Sequence, residues 1–232
     1  MPAAAPVLAI DGPSGSGKGT IAAELARRLG WHRLDSGALY RSVGVAALRR
    51  GIALDDAGGL AAMTAGLELR FGEADGIETV TLDGEDITRA IRSEEAGRAA
   101  SEVAAEPAVR RALLERQRGF AVAPGLVAEG RDMGTVVFPA AALKVFLTAS
   151  PEARALRRHK QLKEKGIDVS LPDLSQGIAE RDRRDSSRSV APLKAADDAR
   201  VLDSTDLSPA EVVRQVLEWL RDAGVPVPPK EF

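Results

Sequence analysis

The sequence predicts an α/β protein with a parallel sheet core, helices on both faces of that sheet, and a small antiparallel insertion. Short apolar runs alternate along the chain with longer segments in which apolar residues recur every three or four positions. The first pattern is typical of buried strands and the second of amphipathic helices, and their alternation indicates a parallel sheet. A strand–turn–strand pattern between residues 67 and 92 interrupts the alternation and predicts the insertion.

The N-terminal part contains two predicted strand–helix pairs. The apolar run Val7–Asp11, which lies between a proline and a glycine, predicts a buried strand. Lys18–Leu29 carries apolar residues at a spacing of four and is followed by a glycine, so we predict a helix that ends there. Trp31–Leu34 is predicted to be the second strand, and a helix is expected from about Ala38 to Arg50.

The insertion is predicted to contain three short strands. Leu67–Phe71 and Ile77–Leu82 flank a predicted turn at Glu73–Gly76. The dipeptide Asp83-Gly84 signals another turn, after which a third strand is expected near Asp86–Thr88.

The rest of the chain contains further predicted helices and strands. The helices are Ser93–Ala105, Pro107–Ala121, Pro151–Lys165, about Leu174–Arg188 and a final helix after Ser208, and the strands are Leu126–Ala128, Leu143–Leu147 and Val201–Leu202. Ser208 and Glu211 form a capping-box pattern at the start of the final helix. We expect this helix to bury an apolar stripe made of Val212, Val213, Val216, Leu217 and Leu220.

The composition excludes several kinds of site and partner. The 232 residues include no cysteine and two histidines, which excludes disulfide scaffolds, thiolate metal sites and three-histidine metal sites. A net charge of −2 and an aromatic content of 3% argue against a general nucleic-acid surface. No apolar run approaches the roughly 20 residues that span a bilayer, and the first ten residues lack the basic segment of a signal peptide. We therefore expect a cytoplasmic protein without nucleic-acid or membrane partners. The sequence has no evident oligomer seam, so we expect a monomer.

The strongest motif lies between the first predicted strand and the first predicted helix. It fits a phosphate-binding loop, in which glycines let backbone N–H groups approach anionic oxygens and a lysine adds a point charge. A flexible Gly/Ser linker is the other interpretation, but the flanking strand and helix favour the phosphate loop. A glycine follows the lysine where such loops usually have Ser or Thr, which leaves the ligands of a metal ion open. The motif consists of Gly12, Pro13, Ser14, Gly15, Ser16, Gly17, Lys18, Gly19 and Thr20.

Two more motifs follow predicted strands, where ligands bind in open α/β sheets. Leu34–Arg41 and Leu126–Thr135 each run from an apolar segment into small and charged residues, although each also fits an ordinary surface turn. Between residues 151 and 194 the chain has eleven Lys and Arg against seven Asp and Glu. This excess of positive charge predicts either a solvated helical surface or a mobile lid over a polyphosphate.

Together these motifs resemble the bacterial cytidylate kinases, a branch of the nucleoside monophosphate kinase family. The Gly-Lys-Gly-Thr form of the loop is similar to monophosphate kinases in general, and Leu34–Arg41, Glu129–Thr135, the stretch from Glu180 to Leu193 and Val201–Thr205 make the resemblance specific. The resemblance covers nearly the whole chain in order. It implies a single domain over residues 1–232, with a P-loop core, a monophosphate-binding insertion at about 38–122 and a helical lid at about 152–190.

The resemblance also implies an activity and a set of roles. ATP, with Mg²⁺, would give its γ-phosphoryl group to CMP or dCMP, forming ADP and CDP or dCDP. ATP would be held by the loop with Lys18 and by Arg157, or its neighbour Arg158, in the lid. The CMP phosphate and the transferred group would be held by Arg41, Arg131 and Arg188, of which Arg131 and Arg188 join Lys18 as catalytic groups. Cytosine would be recognised by Ser101, Arg110 and Asp132, and the sugar by Arg181 and Asp185, with Ser36 as a further substrate contact.

The chemistry of these residue types agrees with the implied roles. Phosphoryl transfer depends on positioning and charge neutralisation, which Lys and Arg supply without His or Cys. A carboxylate that accepts a hydrogen bond from the exocyclic amine distinguishes cytosine from uracil. Ser101 and Arg110 also fit ordinary structural positions on their helices. The alternative functions are a kinase for UMP or AMP, and a non-enzymatic P-loop nucleotide switch or nucleic-acid-binding module.

Overall fold

The computed structural model describes residues 5–74, 77–164 and 168–227. The strands are β1 Val7–Asp11, β2 His32–Asp35, β3 Leu69–Ala74, β4 Ile77–Leu82, β5 Glu85–Asp86, β6 Leu126–Gly130, β7 Leu143–Thr148 and β8 Arg200–Asp203. The helices are α1 Lys18–Leu29, α2 Ser36–Arg49, α3 Ala57–Gly66, α4 Glu94–Val103, α5 Pro107–Arg118, α6 Pro151–Glu164, α7 Leu171–Ser187 and α8 Pro209–Asp222. The chain divides into two compact units, of which the smaller is Ser36–Gln117 and the larger consists of the residues before and after it.

The larger unit is built on a parallel sheet of five strands in the order β2-β6-β1-β7-β8. All five residues of the central strand β1 are buried, so neither face of that strand meets solvent. Helices α1 and α8 contribute to the main apolar core, where Leu8 of β1 and Leu25 of α1 are both fully buried. Burial of one such leucine contributes about 2 kcal/mol. The predicted α/β class and parallel sheet are confirmed.

Local signals define the ends of the helices that frame this sheet. Gly30 follows α1 with φ +64°, and its N–H reaches the carbonyls of the last turn, as the predicted glycine stop requires. The capping box of Ser208 and Glu211 is formed at the start of α8. All five residues of the predicted α8 stripe are buried.

The smaller unit combines helices α2 to α5 with an antiparallel sheet in the order β3-β4-β5. Helices α2 and α4 pack tightly because Gly44 has no side chain. A Cβ atom at position 44 would lie 2.8 Å from Cβ of Ala99, which is closer than two carbon atoms can approach without a shift. The small residues therefore determine how closely these two helices approach.

Several elements differ from the sequence prediction. Helix α3 was not predicted, because its segment contains adjacent glycines that weaken the helical pattern; Asp56 caps it by accepting from the N–H of Gly59. Helix α2 begins at Ser36, directly at the end of β2, rather than near Ala38. A short 3₁₀ turn at Ala90–Arg92 and a π-helical turn at Met133–Val137 were also missed.

Two predicted features fall partly outside the described residues. Of the predicted turn at Glu73–Gly76, the first two residues belong to β3, and Asp75 and Gly76 lie outside the described ranges. Lys165, the predicted end of α6, also lies outside them. In the part of the chain that the structure describes, no helix combines the length and apolar character needed to cross a membrane.

Candidate active site

The phosphate-loop motif occupies the turn between the end of β1 and the start of α1. Gly15 and Gly17 have φ angles of +77° and +92°, which residues with a Cβ rarely adopt. Gly12 is required for a different reason, because a Cβ atom there would lie 2.0 Å from the carbonyl oxygen of Leu147 in β7. Left-handed residues alternating with right-handed ones give the backbone concavity that binds anions, and the N-terminus of α1 adds its partial positive charge.

Lys18, the first residue of α1, is buried within this loop. Its Nζ atom donates to the carbonyl oxygen of Pro13 at 2.7 Å and to Oγ of Ser16 at 3.3 Å. Burial, followed by the positive charge of Arg131, holds the pKa of Lys18 well below its usual range. An anion bound at the loop would compensate both effects and favour the charged ammonium.

Asp11 at the end of β1 links the loop to the turn that follows β6. Its two carboxylate oxygens accept hydrogen bonds from the backbone N–H groups of Met133 and Gly134, each at 2.8 Å. Burial raises the pKa of Asp11 to about 6, although these two hydrogen bonds oppose the rise. The carboxylate therefore fixes the π-helical turn directly after Arg131 and Asp132.

Glu129 at the end of β6 lies beside the first turn of α1, and sequence reasoning gave it no role. Arg33 of β2 donates to Oε1 of Glu129 through Nη2 at 2.6 Å and through Nε at 3.2 Å. A Cβ atom at Gly19 would lie 3.6 Å from Oε2. Burial, with the negative charge of Asp35, raises the pKa of Glu129. The available signals were that Glu129 directly follows the predicted strand Leu126–Ala128 and opens the motif Glu129–Thr135.

Asp185 of α7 brings together two of the predicted phosphate-binding arginines. Nε of Arg131 donates to Oδ2 at 2.8 Å, and Nη2 of Arg188 donates to Oδ1. Burial alone would raise the pKa of Asp185, but Arg131, Arg188 and Arg181 outweigh burial and hold the pKa below its ordinary value. Asp185 was predicted to contact the sugar; in the structure both of its carboxylate oxygens accept from arginines.

Three cations therefore lie within the electrostatic reach of the loop or of Asp185. Arg131 and Arg181 both lower the pKa of Lys18, and the same two arginines with Arg188 lower that of Asp185. Asp132, the predicted cytosine-binding residue, is buried at the start of the π-helical turn. Within the larger unit, the structure thus gathers the predicted residues around the carboxyl ends of β1 and β6, as expected for a ligand site in a parallel sheet.

The guanidinium group of Arg157 is held against the protein by hydrogen bonds and does not extend into solvent. Its guanidinium group donates to the carbonyl oxygens of Ser204 and Thr205 and to Oγ of Ser204, and it lies 3.5 Å from the carbonyl oxygen of Ser16. Arg154, one turn earlier on α6, donates to the carbonyl oxygens of Ala149 and Ser14 and was not predicted. Its position three residues before Arg157 was the only sequence signal for a shared helix face.

The predicted residues of the smaller unit lie on its helices. Ser36 is buried at the first residue of α2, and Arg41 is half-buried in the next turn. Ser101 of α4 is buried. Arg110 of α5 is buried as well, with its guanidinium carbon 5.7 Å from the ring centre of Tyr40 and Nη1 donating to the carbonyl oxygen of Ala104 at 3.2 Å.

The described residues offer no ready-made metal centre. No group of three or more His, Asp or Glu side chains within residues 5–74, 77–164 and 168–227 is arranged to hold an ion. Thr20, the hydroxyl nearest to Lys18 on its C-terminal side, is exposed on α1.

Comparison with known proteins identifies the family. The model of the cytidylate kinase family matches residues 8–222 of this chain. The cytidylate kinase of Methylococcus capsulatus is 60% identical over 91% of this chain and 95% of that protein. The cytidylate kinase of Pseudomonas aeruginosa is 58% identical over 97% of this chain and 99% of that protein. The chain therefore belongs to the cytidylate kinase family.

Proposed function

We propose that this protein transfers the γ-phosphoryl group of ATP to CMP or dCMP, giving ADP and CDP or dCDP. One observation supports this most directly: Arg131 and Arg188 both donate to the buried carboxylate of Asp185, and the charge of Arg131 also acts on the loop lysine. Phosphoryl transfer needs this kind of fixed positive charge, because the three equatorial oxygens of the transferred group share negative charge in the transition state. The names of the relatives indicate CMP as the acceptor.

On the donor side, the loop amides and Lys18 bind the ATP phosphates. When a phosphate replaces Pro13 and Ser16 as the partner of Lys18, the ammonium group exchanges these two hydrogen bonds for charge-assisted ones to the phosphate oxygens. The site fits Mg²⁺, which prefers a few carboxylates, several waters and substrate phosphates. Glu129 beside Gly19 is the carboxylate that we assign to the ion's hydration shell. When bound, Mg²⁺ neutralises charge on the β- and γ-phosphates.

On the acceptor side, Arg131 and Arg188 bind the CMP phosphate and the group in transfer. Each carboxylate oxygen of Asp185 accepts from one of these arginines, which holds both guanidinium groups in place before a phosphate binds. We further propose that Arg41 contacts the CMP phosphate, that Ser36, Ser101, Arg110 and Asp132 bind the nucleoside, and that Arg181 binds the sugar. Residues Ser36–Gln117 form a compact unit of their own, which supports the proposal that they are the monophosphate-binding insertion. Helices α6 and α7 are the proposed lid.

Base choice rests on Asp132. Its carboxylate accepts from the exocyclic amine of cytosine, whereas uracil presents a carbonyl oxygen at that position. Two acceptors facing each other in a buried site leave a charged group unsatisfied, which costs more than a missing contact. CMP is therefore expected to exceed UMP in kcat/KM by at least about a hundredfold.

The test is an assay of ADP production with CMP, dCMP, UMP and AMP side by side. CMP and dCMP should be turned over fastest. Asp132→Asn should lower kcat/KM for CMP and reduce the ratio of kcat/KM for CMP to kcat/KM for UMP. An unchanged ratio would remove Asp132 from base recognition. Preference for UMP or AMP would favour a different monophosphate kinase, and nucleotide binding without turnover would favour a switch protein. The monomeric state and the cytoplasmic location stay predictions.

A further inference from the structure

The first turns of α6 pack directly behind the phosphate loop. A Cβ atom at Gly15 would lie 3.1 Å from Cβ of Arg154 and 3.2 Å from its carbonyl oxygen. Arg154 is 5% exposed, which is rare for a charged residue unless its donors are satisfied. Its Nη1 atom donates to the carbonyl oxygen of Ser14 at 3.1 Å, and its Nε atom donates to the carbonyl oxygen of Ala149 at 3.1 Å.

These contacts follow from the chemistry of the loop. When the N–H groups of a loop converge on an anion, its carbonyl groups point elsewhere and need donors of their own. Arg154 supplies one to the carbonyl of Ser14, and Arg157 approaches that of Ser16. A charged donor on a carbonyl also polarises the attached peptide group, which strengthens the N–H on its other side. Both arginines thus support the loop from its rear side.

Arg154 also connects the loop to α7. Its Nη1 atom lies 2.6 Å from Oδ2 of Asp182. Asp182 and Asp185 are three residues apart, so they lie on neighbouring positions of one helix face. Asp185 in turn holds Arg131 and Arg188. Two sets of polar contacts therefore meet on one face of α7: one runs from the carbonyl of Ser14 through Arg154 to Asp182, and the other joins Asp185 to the two arginines assigned to the acceptor phosphate.

We propose that Arg154 and Asp182 form a positioning pair that couples the phosphate loop to α7, so that ATP and CMP each strengthen the binding of the other. This inference rests on the proposed function. Neither residue is assigned to a nucleotide; they act through Ser14 and through the helix that carries Asp185. A pair that served stability alone would gain little from buried charge, since apolar residues of similar volume are often as stabilising.

The experiment compares CMP affinity with and without the ATP site occupied. Isothermal titration of CMP into the wild type is performed alone and in the presence of saturating β,γ-imido-ATP, which cannot transfer its terminal phosphoryl group. The wild type should bind CMP about fivefold or more tightly with the analogue present. The coupling is the ratio of the CMP dissociation constants measured without and with the analogue. Asp182→Asn and Arg154→Gln should each bring that ratio close to one, and the double variant should lose no more coupling than either single variant. Arg154→Lys, which keeps the ion pair, should recover part of the coupling.

Matched controls separate coupling from general damage. Lys160→Gln on α6 removes a positive charge, as Arg154→Gln does, and Glu180→Gln on α7 removes a negative charge, as Asp182→Asn does. Both positions are exposed, so both controls should keep the wild-type ratio of CMP dissociation constants. Thermal unfolding confirms that each variant is folded, and a purely structural pair would lower the melting temperature while leaving the ratio unchanged. Wild-type protein that does not convert CMP with ATP would contradict the proposed function. Two results would overturn the positioning pair: an active wild type whose CMP affinity does not change with the ATP analogue, or an Asp182→Asn variant whose CMP affinity changes as much as that of the wild type.

Discussion

The two units of the chain hold their functional residues by different means. In the larger unit, charged groups hold one another: Asp185 binds Arg131 and Arg188, and Asp11 binds the backbone after β6. In the smaller unit, the spacing of the helices comes from apolar contact, with Gly44 against Ala99. In the larger unit, charged contacts thus fix the side chains near the proposed phosphates. In the smaller unit, helix packing fixes the spacing of the helices that carry the proposed nucleoside-binding residues.

This contrast has consequences for mutation. Removing a charge next to the proposed phosphates in the larger unit should change the rate of phosphoryl transfer with little change in fold. Altering a packing residue in the smaller unit should change stability, or the binding of CMP, before it changes the chemistry. The experiments below test that division, beginning with the largest expected effect.

Lys18→Ala is expected to lower kcat by at least about a hundredfold, since it removes a charge that stabilises the transition state. The melting temperature should stay close to that of the wild type, because Lys18 contacts the loop rather than the apolar core. Steady-state kinetics with ATP and CMP measure the first effect and thermal unfolding the second. Arg28→Ala on the exposed side of the same helix is the control and should keep normal turnover. Near-normal turnover by the Lys18→Ala variant would contradict the proposal that this loop binds the ATP phosphates.

Arg188→Ala should lower kcat/KM for CMP by about tenfold to a hundredfold, which corresponds to one lost charged hydrogen bond. The dissociation constant of ATP should change little, because Arg188 lies with Asp185 and not in the loop. The exposed neighbour Arg183, changed to Ala, provides the control. An equal loss of ATP affinity would move Arg188 from the acceptor side to the donor side.

The sequence was sufficient where the functional residues are contiguous, and insufficient where distant segments meet. The phosphate loop, its flanking strand and helix, and the cap of α8 all depend on neighbours along the chain, and the structure confirms these elements. The π-helical turn at Met133–Val137 depends on Asp11, 122 residues earlier. Arg154 depends on Ser14, 140 residues earlier, and on Asp182. No local pattern encodes such pairs, so they became visible only once the chain was folded.

Gly44→Ala is expected to lower the free energy of unfolding by about 1–2 kcal/mol, because overpacking outweighs the better helix propensity of alanine. Denaturant unfolding measures the change. Gly66→Ala in α3 is the matched control, since a Cβ atom there meets nothing within 4 Å. That variant should be neutral or slightly more stable. If Gly44→Ala were equally neutral, packing between α2 and α4 would not be the factor that fixes their spacing.

The smallest expected effect concerns Tyr40, whose ring lies beneath Arg110. Because 5.7 Å is close to the roughly 6 Å limit for a contact between a cation and an aromatic ring, we expect a gain at the lower end of the range, about 0.5–1 kcal/mol. Tyr40→Leu removes the ring and should raise KM for CMP by about threefold, the equivalent of that energy, while KM for ATP stays unchanged. Tyr40→Phe keeps the ring and should behave like the wild type, so the pair of variants separates the ring from the hydroxyl. Leucine also fills the buried position, which limits loss of packing as an explanation.

If both variants raised KM for CMP equally, the hydroxyl group would be the part of Tyr40 that matters. If only the leucine variant did so, the ring would be shown to hold the guanidinium of Arg110, and an electrostatic contact would contribute to CMP binding in the smaller unit as well as in the larger.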